Sequence, residues 1–86
     1  MDNSFIFLGS FTNMVSKGFK ISEGEFTLEV TNVENITNDV QCVEYIVKRG
    51  NSELTDGFVY LMKNQDYVSV LKKVLTKIVT AVKRVS

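Results

Sequence analysis

The feature that most constrains this chain is a change of hydrophobic period near its end. Before residue 63 the apolar residues alternate or run in short blocks. From Tyr67 onward, Leu71, Leu75, Ile78, Val82 and Val85 recur at spacings of four and three, and Tyr67, Val68, Val74 and Val79 widen the stripe. That is the period of an amphipathic helix. Asn64 or Asp66 is placed to cap its first turn, and Lys83 and Arg84 stand where the helix dipole favours cations. About 19 residues at ~1.5 Å each give a length near 28 Å. Its valines, Ile78 and threonines are mediocre helix formers, so packing of the apolar face must hold it.

Ahead of the helix the pattern is that of strands. Phe5, Phe7 and Phe11 form a period-two series, weakened by Gly9. Phe19 and Ile21 make a short strand and Glu23-Gly24 a turn; Phe26, Leu28 and Val30 then alternate with Thr27, Glu29 and Thr31. Asn32 to Asp39, with three asparagines and no periodicity, reads as a loop. Gln41 to Lys48 is the next strand, with Val43, Tyr45 and Val47 on one side and Cys42, Glu44, Ile46 and Lys48 on the other. Arg49-Gly50-Asn51-Ser52 turns the chain, and the apolar run Phe58 to Met62 reads as a fourth strand covered on both faces. The expected fold is α+β: a four- or five-stranded antiparallel curved meander (residues 19–86 including the helix), with residues 1–18 as an extra strand or an arm over the sheet. In 86 residues a monomeric core is marginal, and the breadth of the helix stripe predicts a homodimer through Leu71, Leu75, Ile78, Val82 and Val85.

Several classes of chemistry lack their residues. There is no histidine and one cysteine, Cys42, so a structural zinc site has no credible ligand set and no disulfide closes within the chain. Glycine-rich phosphate loops and nucleophile elbows are absent. The chain is expected to be no enzyme and to need no metal or cofactor. The start, MDNSFIFLGSF, has an acid where a secretory signal has lysines, and no apolar run approaches the ~20 residues of a spanning helix. An intracellular, soluble protein is expected.

Charge is unevenly spread. Residues 21–66 hold nine acids against Lys48, Arg49 and Lys63, whereas residues 67–86 hold Lys72, Lys73, Lys77, Lys83 and Arg84 with no acid, although the net charge is zero. A basic flank of this kind can meet phosphates, an anionic membrane or an acidic partner. Single-strand binding needs a cationic track and flat aromatic faces for the bases. Tyr45 with Lys48 and Arg49, Lys17 and Lys20 around the first turn, and Lys63 after the fourth strand are the candidates.

The order of parts from Phe19 to Val85 resembles the single-stranded-DNA-binding core of the transcriptional coactivator called positive cofactor four, with its bacterial and phage relatives. The matching features are Phe19-Lys20-Ile21 before a tight turn, the strand from Phe26, the strand through Val43 and Tyr45, Gly57 before an apolar strand ending at Leu61, and the helix with Leu71, Leu75 and Ile78 ending Ala81-Val82-Lys83-Arg84-Val85. The resemblance implies a curved four-stranded sheet, dimerisation through helix residues Leu71 to Val85, and DNA contacts at Lys20 and from Tyr45 to Arg49. The family's tryptophan at the end of the third strand has no counterpart, Asp56 stands where a base commonly precedes the glycine, and the loop after the second strand is longer.

Three functions compete. The first is a homodimeric, sequence-tolerant single-stranded-DNA-binding protein acting in transcription, replication or recombination. The second is a small dimeric protein-interaction modulator without nucleic-acid binding. The third, a membrane-surface helix, lacks a tryptophan and needs an apolar face already committed to the core.

Overall fold

A computed structural model describes residues 14–85. Four strands, β1 (Lys20–Glu23), β2 (Phe26–Asn35), β3 (Val40–Arg49) and β4 (Ser52–Met62), form one antiparallel sheet in the order β1-β2-β3-β4, followed by the helix α1 (Tyr67–Val85). The layout is the α+β meander and terminal helix that the periodicities predict. The aromatic series from Phe5 to Phe11, and with it a fifth strand there, lies outside the described residues. Residues 14–18 precede β1 without forming a strand.

The β1–β2 and β3–β4 hairpins each turn on two residues, Gly24-Glu25 and Gly50-Asn51, between the partners Glu23–Phe26 and Arg49–Ser52. Gly24 and Gly50 have φ of 62° and 61°. A glycine with positive φ at the first central position gives the twist that two-residue hairpins favour.

β2 runs four residues further than its alternation predicts, to Asn35. A register shift between Val30 and Asn32 inserts Thr31 as a bulge, so that Val30 opposes Tyr45 while Val33 opposes Val43. The bulge changes parity. It keeps Val33 on the face already occupied by Phe26, Leu28 and Val30, and the three-residue step that makes residues 32–35 look aperiodic is its trace in the sequence.

The core lies between this inner face and the helix. Phe26, Leu28, Val30, Val43, Val47 and Leu61 meet Leu71, Leu75 and Val79 of α1, all buried. Val15, also buried, belongs to the same cluster; its N–H donates to Gln41 Oε1 at 3.3 Å, and the Gln41 amide donates onward to Asn35 Oδ1 at 3.1 Å. A buried amide is held only when its polar atoms are paired, and Gln41 thereby ties the segment before β1 to the sheet.

Asp66 starts the helix. Its Oδ1 accepts from the Val68 N–H at 3.1 Å and its Oδ2 from the Ser69 hydroxyl at 3.0 Å, the N-cap arrangement expected of it. The helix leans on β1 and β2, where the Thr76 hydroxyl donates to Glu23 Oε1 at 2.7 Å.

β4 differs from expectation. It starts at Ser52 rather than Phe58, with Leu54 as an extra residue between the pairs Lys48–Glu53 and Val47–Thr55. It is also an edge strand, and only its inner face is covered: Leu61 is buried, but Phe58 and Tyr60 are 61% and 53% exposed. The last strand of a meander has a neighbour on one side only, and α1 lies over the opposite half of the sheet.

Candidate nucleic-acid interface

The proposed strand-binding residues fall in different places. Tyr45 points to the inner face, opposite Val30 on one side and Gly57 on the other. Burial raises its pKa, and the nearby Asp56 carboxylate adds to the rise. Lys48 points to the outer face, where its Nζ lies 4.0 Å from Glu29 Oε1. Arg49, at the end of β3, donates from Nε to Glu25 Oε2 at 2.6 Å and sets its guanidinium 5.2 Å from the centre of the Phe26 ring. Exposed pairs of this kind add ~0 to 1 kcal/mol to stability, but each cancels the local field that a phosphate would feel.

Lys20 lies on the outer face at the β1 edge, opposite Glu29. Lys17 is in the turn before β1 and Lys63 just beyond β4, both exposed. Lys63 and the hairpin at Arg49 stand at opposite ends of β4, roughly 33 Å apart at ~3.3 Å per residue. The fold sets Lys20 and Lys48 on the outer face beside Glu29, turns Tyr45 and Arg49 to the other face, and leaves Lys17 and Lys63 outside the strands.

Of the expected dimer residues, Leu71 and Leu75 are buried within the single chain, and Ile78 and Val82 are half-buried against its own core. Val85 is 85% exposed. The apolar stripe of α1 is largely consumed by the sheet it lies on.

Two features stand out more clearly than the nominated set. On the outward face of α1, Lys72, Lys73, Lys77, Lys83 and Arg84 are all exposed, and among the described residues none is within salt-bridge distance of an acid, the two ion pairs being those of Lys48 and Arg49. Lys72, Lys73 and Lys77 line a shallow groove of about 490 Å³ with Ser69 and Thr76. The second feature is on the other side of the molecule. Phe58 and Tyr60 meet edge-to-face on the outer side of β4, ring centres 5.7 Å apart, beside a shallow groove of about 480 Å³ that also touches Cys42, Glu44, Ile46 and Asp56.

The lysines are visible in the sequence as a basic flank; that none of them has an ion-pair partner among the described residues is not, because acids of other elements can reach the helix, as Glu23 reaches Thr76. The exposed aromatic pair is not legible in the same way, because a continuous apolar run reads as a strand covered on both faces; its place as the last strand of a meander is the available signal. Among the described residues no group of three or more His, Cys, Asp or Glu side chains is placed to hold a metal ion, and no helix is long and apolar enough to cross a membrane. No family model, curated protein or solved structure matches the chain.

Proposed function

We propose that this chain is a sequence-tolerant single-stranded-DNA-binding protein, acting in transcription, replication or recombination, whose main phosphate contacts are the helix cations. The observation that carries this reading is the row of five exposed cations on α1, none of them within salt-bridge distance of an acid among the described residues. Phosphate binding releases counterions from the strand, and cations already paired with carboxylates contribute less to that release. Lys72, Lys73 and Lys77 therefore replace Lys48 and Arg49 as the principal contacts, with Lys83 and Arg84 extending the track. The resemblance of Phe19 to Val85 to the positive cofactor four core supports a single strand rather than a duplex as ligand.

A second reading, a protein-interaction modulator without nucleic-acid binding, is favoured by the outer sheet face, where Glu29, Glu44 and Asp56 outnumber Lys20 and Lys48. The two separate in a fluorescence-anisotropy titration with a labelled mixed-sequence single strand of about 20 nucleotides, with the duplex as control. Saturable, salt-sensitive binding that prefers the single strand is expected. Absence of binding at low salt would remove the nucleic-acid reading.

A further inference from the structure

Edge strands of stable monomers are short, charged, or covered, because an open row of backbone N–H and C=O groups recruits another strand. β1 meets this rule: it has four residues and lies under α1. β4 does not. It is the longest strand, with 11 residues, and no described strand pairs with its outer edge. From Gly57 to Met62 it carries neither charge nor proline. Leu54, Phe58, Tyr60 and Met62, four of the seven exposed large apolar residues among those described, lie on it.

We infer that β4 pairs antiparallel with β4 of a second copy about a twofold axis at Phe58, joining the two sheets into one. The charge pattern selects this occupant and this register. Glu53 and Asp56 occupy the first half of the strand, the second half is neutral, and Lys63 follows its end. Antiparallel self-pairing at Phe58 sets Asp56 opposite Tyr60 of the second copy and runs the acidic first half of each strand along the uncharged second half of the other, with Lys63 beyond its far end. A twofold at Asp56 would instead oppose two aspartates, which cross-strand pairing penalises. A nucleic-acid strand is disfavoured at the same place by Glu44 and Asp56 beside the aromatic pair. This pairing uses a surface separate from the helix cations and does not depend on the DNA reading.

Sedimentation equilibrium of the full chain tests the pairing. A dimer is expected at micromolar concentration, and Phe58→Lys weakens it at least about tenfold by setting two lysines together across the axis. The variant keeps the monomer fold intact, because the residue facing position 58 within the chain is Glu44. A monomer at these concentrations, as when another segment of the same chain covers the edge, would overturn the inference. So would a dimer indifferent to Phe58→Lys, which would put the contact on α1 near Val85.

Discussion

The Tyr45 ring fills the space that a side chain at Gly57 would need. The two residues face each other across β3 and β4, and a Cβ built at Gly57 would stand 2.7 Å from Tyr45 Oη and 3.0 Å from Cζ. Gly57 is therefore required by the aromatic ring beside it, since its own backbone has no positive φ. A tyrosine laid over a strand glycine covers backbone that would otherwise be wet.

This packing predicts a coupled pair. Gly57→Ala gains intrinsic strand preference but must displace the ring, and a net loss of about 1 kcal/mol is expected. In a Tyr45→Leu background the same change should cost less, because the obstructing ring is gone. Urea unfolding of the four proteins measures the coupling; equal costs in both backgrounds would mean that the ring moves freely.

Tyr45 also predicts a pH dependence. With its pKa raised by burial first and Asp56 second, the folded state holds the phenolic proton more tightly than the unfolded state does. The stability this contributes is fully present below the ordinary phenol value of about 10 and is lost as pH rises through the higher folded value. Asp56→Asn should bring the titration of Tyr45 down toward the ordinary value without reaching it, since burial remains. Ultraviolet titration of the tyrosinate, with Tyr45→Phe to assign it, checks this.

At the start of α1, Asp66→Ala removes acceptors for the Val68 N–H and the Ser69 hydroxyl. A loss of about 1 kcal/mol is expected, with Asp66→Asn losing less. Thermal unfolding followed by circular dichroism reads both.

Gln41→Leu keeps the volume of the buried side chain but strips the acceptor from the Val15 N–H. An unpaired buried donor costs about 1 to 3 kcal/mol. Amide exchange at Val15 should accelerate more than exchange at Leu28, because the segment before β1 is released first.

Much of this architecture is legible in residue order, for identifiable reasons. The helix announces itself by Leu71, Leu75 and Ile78, and the hairpins by Gly24 and Gly50, because those signals are local. The continuation of β2 beyond Thr31 is hidden by the bulge, which breaks the alternation of side chains without breaking the strand. The exposure of Phe58 and Tyr60 is hidden for a different reason: coverage of a strand depends on where α1 settles, over β1 and β2, and no residue of β4 encodes that. At the candidate site the sequence supplies the cations but not their partners. Glu25 meets Arg49 only because β2 and β3 are in register, whereas among the described residues no acid lies within salt-bridge distance of the helix lysines, Glu23 being engaged by the Thr76 hydroxyl.

The central claim is that the helix cations hold the phosphates of a single strand. The most direct measurement is the salt dependence of single-strand affinity for the wild type beside a Lys72/Lys73/Lys77→Gln variant and a Lys48/Arg49→Gln variant. Each phosphate contact contributes ~0.7 to the slope of log affinity against log salt concentration. The account predicts that the triple variant loses about 2 from the slope, and that the strand variant changes it much less. Binding with an unchanged slope in the triple variant, or a larger loss in the strand variant, would contradict it.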